Sequence, residues 1–237
     1  MVIEHSSTQP AGAPQRTNDG DHLAASLRGF GPIGLFAVIV ILAGNGIMAP
    51  LSAVLVLLWV RLSRTPWEDI GYVRPSSWIR SLAIGIAFGV AFKLVMKAIV
   101  MPLLGADPIN QAYHYLVGNR GALPGMLFAV TVGAGFGEET VFRGYMFERL
   151  GRLFGTTVGA KALIVLITSL VFGLAHYPVQ GVAGAQQGAV VGLVFGTIFA
   201  IRGRIFTLMA AHAAFDLTAL AIIYWNLEAD VAGFFHR

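Results

Sequence analysis

The sequence contains no cysteine and few charged residues. Among its 237 residues there is no Cys, and Asp, Glu, Lys and Arg together make up 12%, about half the share of roughly 25% found in soluble domains. The lack of cysteine excludes disulfides, thiolate catalysis and cysteine-ligated zinc. Hydrophobic residues reach 56%, and the mean hydropathy is +0.73. This composition predicts a polytopic membrane protein.

Motifs for several hydrolase classes are also missing. The sequence has no GxSxG, so neither a serine-hydrolase elbow nor a rhomboid-like serine centre is indicated. It has no HExxH, which argues against a zincin-type helix, and no GxGD of the aspartyl intramembrane type. The formal charge of +4 comes without a basic run interleaved with aromatic residues. Nucleic acid is therefore not predicted as a partner.

Long apolar segments divide the chain. Polar residues 1–28 lack the apolar core of a signal peptide and predict a disordered cytoplasmic tail. An N-terminal membrane hairpin is expected over 29–64, a membrane domain over 65–225 and a short C-terminal tail over 226–237. The predicted fold class is all-α, a transmembrane bundle of about seven to eight spans around a polar cavity. The apolar segments are 30–44, 47–60, 82–104, 123–147, 162–177, 186–201 and 205–225.

Two features of this division concern the loops. Asn45-Gly46 separates the first two segments, which could form a tight hairpin or one broken element. With the N-terminus inside, the outer loops and outer C-terminus hold little positive charge beyond Arg120 and Arg237. This asymmetry follows the positive-inside rule and predicts an integral protein of the cytoplasmic membrane with its N-terminus inside. The inner-loop basic residues are Arg61, Arg64, Arg74, Arg80, Arg149, Arg152, Lys161, Arg202 and Arg204.

Several ionisable side chains lie inside the predicted spans. A charge at a helix centre costs about 2.5–3.5 kcal/mol on insertion scales, so it is usually paired and often functional. Residues four apart share a helix face. Each such pair alone could be structural, but their presence on three separate spans predicts a shared polar site. The pairs are Glu139 with Arg143, Phe172 with His176, and His212 with Asp216.

Glu138 and two lysines complete the set. Glu138 lies about 100° around the helix from Glu139, so one acid can pair with Arg143 while the other faces a cavity. A carboxylate in a low-dielectric pocket suits a general base. Lys93 and Lys97 are expected to face a cavity, a lipid headgroup or another polar partner, and no role is assigned to them.

Two chemistries fit these residues. Glu138, helped by His176, could take a proton from a water that attacks a carbonyl, while His212 and Asp216 stabilise the developing oxyanion. In this version Asp216 either orients His212 or acts protonated. Alternatively, Glu138, His176 and His212 could ligate zinc, because one carboxylate and two imidazoles make a catalytic zinc site. The residues alone leave both open.

Three motifs carry a family resemblance. EETVFR, which starts at Glu138, resembles the EExxxR of type II CAAX prenyl endopeptidases and of their bacterial relatives, the CAAX-protease and bacteriocin-processing (CPBP, or Abi) family. FGLAH, ending at His176, resembles FxxxH. HAAFD, from His212, resembles HxxxN/D, with Asp216 where the prenyl endopeptidases usually have Asn. WEDIGYVRP resembles the E-x-LG-x-R-x-P stretch that often precedes this domain. The resemblance covers roughly 65–225.

The resemblance implies an all-helical membrane bundle and an intramembrane endopeptidase. Its substrate would be a membrane-associated peptide or protein, prenylated or not. Some family members were first described as metalloproteases and others look glutamate-dependent; the version without a metal or other cofactor is predicted here. The alternatives are a non-catalytic immunity or scaffold protein and, less favoured because no repeat is visible, a proton-coupled transporter. The implied roles are water activation by Glu138 and His176, oxyanion stabilisation by His212 and Asp216, and support by Glu139, Arg143 and Phe172.

Overall fold

The computed structural model describes residues 19–234, and the regular elements in this part of the chain are helices, without strands. The predicted all-α class is confirmed. Three helices are long and apolar enough to cross a membrane, or up to four if one bent pair is a single span. The predicted number of about seven to eight spans is not confirmed by this criterion. The three helices are Trp78–Leu103, Val158–Arg202 and Phe206–Tyr224.

The N-terminal third contains three helices. They are α1 (Asp19–Arg28), α2 (Pro32–Ile47) and α3 (Ala49–Ser63). α1 and α2 meet at a 60° bend, and α2 starts on a proline, which is preorganised for a first helical turn. α2 and α3 fold back on each other, and the Ser52 hydroxyl of α3 donates to the Ile41 carbonyl of α2, eleven residues away, at 2.5 Å. Of the two arrangements left open by the sequence, the hairpin is the one present.

The predicted disorder over 1–28 is wrong for its last third, which forms α1; residues 1–18 lie outside the described part. Two side chains from other helices hold α1 in place. Trp59 Nε1 donates to the Leu27 carbonyl at 3.1 Å, and Arg149 donates to the last carbonyl of α1 and to the next one, at 2.7 and 2.8 Å. These bonds satisfy carbonyls that a helix end leaves free. Such long-range partners are not visible in local composition.

Helix α4 (Trp78–Leu103) packs closely on α7 (Phe206–Tyr224). The contact depends on glycine: a Cβ on Gly89 would lie 2.1 Å from the Ala211 carbonyl oxygen, and one on Gly85 would lie 2.5 Å from that of Thr207. Small residues allow such close approach between membrane helices. One turn beyond Gly89, this packing places the Lys93 ammonium over the Phe215 ring of α7, 4.7 Å from its centroid.

Helix α5 runs over 123–154 and changes its hydrogen bonding along its length. It begins as Leu123–Phe128, continues as Ala129–Tyr145 with wide i→i+5 bonding, and ends as Met146–Phe154. Wide helical turns occur frequently at functional sites. The wide segment contains the whole of EETVFR. The sequence predicted a helix here but not this change in bonding.

Helix α6 (Val158–Arg202) reverses direction at Gly181, whose φ of 62° and ψ of −156° are not helical. Glycine tolerates a positive φ without steric cost. The two halves then pack antiparallel: a Cβ on Gly192 would lie 2.7 Å from Ser169 Cα, and one on Gly173 would lie 2.7 Å from the Ala185 carbonyl oxygen. The halves correspond to the predicted segments 162–177 and 186–201.

The bundle encloses a cavity of about 1050 Å³, lined by side chains of α4, α5, α6 and α7. The loop after α4 and the short helix α8 (Glu228–Ala232) also contribute to its wall. α8 falls within the predicted C-terminal tail, of which residues 235–237 lie outside the described part. The main hydrophobic core packs around this cavity and includes Phe172, Phe195 and Phe215.

Candidate active site

His212 on α7 lies among three carboxylates. Its ring is buried, and Nδ1 is 2.7 Å from Glu139 Oε1. Because an ionised carboxylate can only accept a hydrogen bond, Nδ1–H is the donor in this contact. The other ring nitrogen, Nε2, lies 3.7 Å from Glu138 Oε2 and 3.7 Å from Asp216 Oδ2. The contact with Glu139 therefore turns Nε2 towards the two acids that line the cavity.

Glu139 also pairs with Arg143, as the i, i+4 spacing predicted. Arg143 NH1 lies 2.9 Å from Glu139 Oε1, and both side chains are fully buried. The guanidinium is 4.7 Å from the ring centroid of Phe172 and 5.5 Å from that of Phe195, distances typical of cation–π contacts. One carboxylate thus joins α5 to the histidine of α7. The ion pair was predicted, but its bridge to His212 was not.

His176 has a different anchor. Its Nδ1 is 2.7 Å from the Phe172 carbonyl oxygen, four residues earlier on α6. A carbonyl only accepts, so Nδ1–H donates and Nε2 is the nitrogen left for other partners. The Phe172 ring contacts both histidines, with centroids 4.6 Å from His176 and 5.9 Å from His212. The predicted shared face of Phe172 and His176 is confirmed.

The predicted site residues fall into two groups. Glu138, His176 and Asp216 line the cavity. Glu139 and His212, together with Arg143, lie behind them in the protein interior. Glu138 Oε2 has no hydrogen-bond partner among residues 19–234, and the Glu138 and Asp216 side chains keep 21% and 25% of their surface exposed. The cavity therefore gives a ligand access to both acids.

A catalytic zinc ion requires three protein ligands placed around one point. Within the described part of the chain, no group of three or more His, Asp or Glu side chains is placed to hold a metal ion. The alternative zinc ligands Glu138, His176 and His212 do not form such a group. The Nδ1 contacts of the two histidines leave Nε2 as the nitrogen that a metal would take. These residues as placed do not fit a three-ligand zinc site.

The cavity is also lined by polar residues that were not assigned to the site from the sequence. Lys93 Nζ donates to Gln187 Oε1 at 2.9 Å, and Gln180 Nε2 donates to the Tyr113 hydroxyl at 3.4 Å. Burial raises the pKa of the Tyr113 phenol, in the loop after α4, so this group stays neutral. In the sequence, the side-chain amides of Gln180 and Gln187, in or beside apolar segments, were the signal that could have indicated these residues.

A polar partner was one of the environments expected for Lys97, and the structure contains one. Its ammonium lies 2.9 Å from Glu228 Oε1 and 2.6 Å from the Pro108 carbonyl oxygen. The same Glu228 oxygen accepts the backbone N–H of Asn110 at 3.1 Å. These bonds join α4, the loop that follows it and α8.

Comparison with known families supports the motif assignment. Residues 120–218 match the family model described as Type II CAAX prenyl endopeptidase Rce1-like. The matched segment contains all three motifs, EETVFR, FGLAH and HAAFD, so the resemblance seen in the sequence is confirmed there. No curated protein and no solved structure matches the chain.

The match over residues 120–218 points to a family of endopeptidases, enzymes that act on peptides or proteins. Together with the long apolar helices, it indicates an integral membrane protein. The cavity supplies a place where a peptide could meet the motif side chains.

Proposed function

We propose that the protein is an intramembrane endopeptidase of the CAAX-protease type, which hydrolyses a peptide bond with water activated by Glu138 and without a required metal. The observation that carries this proposal is the Glu138 carboxylate, which lines a peptide-sized cavity and keeps 21% of its side-chain surface exposed. Its Oε2 has no hydrogen-bond partner among the described residues and lies 3.7 Å from Nε2 of the buried His212. A carboxylate without a donor of its own can accept a proton from water.

In the proposed reaction, Glu138 removes a proton from a water molecule as the water oxygen bonds to the scissile carbonyl carbon. The carbonyl oxygen becomes negative, and His212, when doubly protonated, donates to it from Nε2. The C–N bond then breaks while the proton held by Glu138 passes to the leaving nitrogen. The products are a new carboxyl terminus and a free amine, so one water is consumed for each bond cleaved.

The remaining motif residues would position these groups. Glu139 holds Nδ1 of His212 and thereby directs Nε2 towards Glu138 and Asp216 on the cavity wall. Asp216 is proposed to act through His212, because its Oδ2 lies 3.7 Å from the same Nε2. His176, with Nδ1 held by a backbone carbonyl, can present Nε2 to the attacking water. Arg143 would fix Glu139 through their buried ion pair.

We also propose that the two halves of α6 are separate spans and that the N-terminus lies inside the cytoplasmic membrane. The reversal at Gly181 supports the first point, since each half then has about the 20 residues that a bilayer requires. The basic inner loops support the second. Because the sequence lacks cysteine, single cysteines placed at Lys161 and Arg120 can be labelled from each side of sealed vesicles. Labelling of both positions from the same side would contradict this topology.

Cleavage can be tested with purified protein in liposomes and a mixture of membrane-protein peptides, with new N-termini read by mass spectrometry. Wild-type protein is expected to generate new termini that Glu138→Gln does not. Glu68, which is exposed in the loop before α4, provides a matched control: Glu68→Gln should cleave as wild type does. The same termini at the same rate from a folded Glu138→Gln protein would contradict the mechanism. A wild-type protein that cleaves nothing would favour the immunity or scaffold alternative.

Chelation separates the two versions of the protease. Activity that survives exhaustive dialysis against a strong chelator would support the metal-free mechanism. Activity that is lost and then restored by zinc alone would establish the zinc-dependent alternative in its place.

A further inference from the structure

Lys93 is a buried cation on the cavity wall that the proposed reaction does not use. Only 6% of its surface is exposed. Its ammonium donates to Gln187 Oε1 at 2.9 Å and lies 4.7 Å from the ring centroid of Phe215. Neither partner carries a negative charge. Burial of an ammonium without a paired anion is costly. The burial of Lys93 therefore requires a structural or functional explanation.

The other lysine of the cavity wall shows the contrast. Lys97, one turn further along α4, is directly paired with Glu228 and also bonds a backbone carbonyl. Lys93 has no carboxylate oxygen at salt-bridge distance within the described residues, where the acids of the motifs lie around His212 instead. Of the Lys and Arg side chains that line the cavity in this part of the chain, Lys93 is the one without an acid partner.

We propose that Lys93 and the side-chain amide of Gln187 form a carboxylate-binding subsite within the substrate cavity. The proposal rests on the proposed function, because it treats the cavity as the place where a peptide binds. An ammonium has three donors, and one of them is used by Gln187 Oε1. That bond leaves the amide nitrogen of Gln187 as a second donor. Two adjacent donors, one of them charged, suit the two oxygens of a carboxylate.

The location of the subsite would determine which bond is cut. Lys93 shares the cavity with Glu138 and Asp216 but is not in an ion pair with either. A substrate carboxylate held at Lys93 would therefore place a peptide bond of the same molecule near Glu138. The carboxylate can be the free C-terminus of the substrate or an Asp or Glu side chain. Both sources present the same group to the subsite.

Synthetic peptides distinguish these sources. One random peptide library is made with a free C-terminus and again as the C-terminal amide, and each form is made with and without Asp and Glu. We expect wild-type protein to cleave peptides that carry a carboxylate about 10- to 100-fold more efficiently than peptides that carry none, the range of one hydrogen-bonded charge. A preference that follows the C-terminal carboxylate identifies the chain end, and one that follows Asp and Glu identifies side chains.

Variants of Lys93 connect that preference to the subsite. Lys93→Met, similar in length and uncharged, should abolish the preference, mainly by raising KM, whereas Lys93→Arg should keep most of it. Lys161 is exposed at the start of α6, so Lys161→Met is the matched control and should behave as wild type. A wild-type protein without any carboxylate preference would overturn the proposal. So would a Lys93→Met protein that keeps the preference, or one that loses activity equally on all peptides.

Binding separates the failure of this proposal from the failure of the proposed function. The same peptides can be captured by the Glu138→Gln protein, which lacks the proposed general base but keeps the cavity. We expect the captured peptides to be enriched in those that carry a carboxylate, and we expect the double variant Glu138→Gln, Lys93→Met to lose this enrichment. That result supports the subsite even if the wild-type protein cleaves nothing. Capture without enrichment overturns the subsite, even if cleavage is observed.

Discussion

Two clusters of charge on the same cavity differ in how their acids are paired. The motif cluster comes from α5 and α7, and the Lys97 cluster joins α4 to α8 and to the loop between α4 and α5. In each cluster a buried glutamate lies 2.9 Å from a cation. The motif cluster consists of Glu138, Glu139, Arg143, His212 and Asp216; the Lys97 cluster consists of Lys97, Glu228 and the backbone of residues 108–110.

The Lys97 cluster uses its charge to connect segments. Glu228 Oε1 accepts from both Lys97 and the Asn110 backbone N–H, and Lys97 also donates to the Pro108 carbonyl. Glu228 Oε2 takes no bond among the described residues, but a cation at 2.9 Å compensates the carboxylate as a whole. No histidine takes part in these contacts. These contacts stabilise the packing of α4, α8 and the loop between α4 and α5.

The motif cluster holds more acid than its cation can pair. Arg143 compensates Glu139, which leaves Glu138 and Asp216 on the cavity wall beside His212. The comparison shows that a buried charge alone does not indicate catalysis. The informative feature is an acid that has no cation of its own, is reachable from a cavity and adjoins a histidine with a fixed orientation.

Among the residues that support Glu138, the largest expected effect concerns Glu139, which belongs to both the ion pair and the histidine contact. Glu139→Gln should lower kcat/KM about 100-fold, since His212 loses the charge that directs it. It should also lower the thermal midpoint, because Arg143 would remain buried without its anion. Steady-state cleavage and thermal unfolding in detergent measure the two effects.

Glu148 provides the control for Glu139. It lies on the same helix and pairs with Arg152 and, at 3.8 Å, with Arg149, with no histidine among these contacts. Glu148→Gln should lower the thermal midpoint and leave kcat/KM within about 3-fold of wild type. Equal losses of activity in Glu139→Gln and Glu148→Gln proteins would show that Glu139 acts only through stability.

A smaller effect is expected for Asp216. Asp216→Asn keeps the shape of the side chain and provides an amide that can donate to an oxyanion, which an ionised Asp cannot. We therefore expect kcat/KM to remain within about 10-fold of wild type. A loss of about 1000-fold on the same peptides would mean that the negative charge of Asp216 is essential. It would contradict the proposal that Asp216 acts only through His212.

The smallest effect on cleavage is expected in the Lys97 cluster. Glu228→Gln should reduce stability by about 1–3 kcal/mol, because Lys97 and the Asn110 N–H lose a charged acceptor. Adding Lys97→Met should recover part of that loss, since removing a whole buried pair costs less than breaking it. Thermal unfolding of both single variants and the double variant gives the coupling between the two residues. Absence of coupling would contradict the direct pair.

The sequence predicted features that depend on helix periodicity. The pairs Glu139 with Arg143 and Phe172 with His176 lie on shared faces because residues four apart meet on any helix. The apolar segments likewise matched helices to within a few residues. A low charge content makes the few buried charges conspicuous, and for this reason the motif residues could be selected without a structure.

Contacts between helices could not be predicted in this way. Glu139 and His212 are 73 residues apart, and Lys93 and Gln187 are 94 apart; both contacts depend on how helices cross. The reversal at Gly181 is set by a single φ angle. The helix α1 depends on bonds from distant side chains, which outweigh its polar composition. Each of these features is decided by tertiary packing and not by local propensity.

The central claim is that Glu138 activates water while Glu228, a buried acid on the same cavity, only holds segments together. The most direct test measures cleavage rate and thermal midpoint for Glu138→Gln and Glu228→Gln side by side, in the same liposomes and on the same peptides. We expect a loss of about 1000-fold or more in kcat for Glu138→Gln with little change in stability, and reduced stability with nearly wild-type kcat for Glu228→Gln. A Glu138→Gln protein that cleaves at the wild-type rate would contradict the central claim.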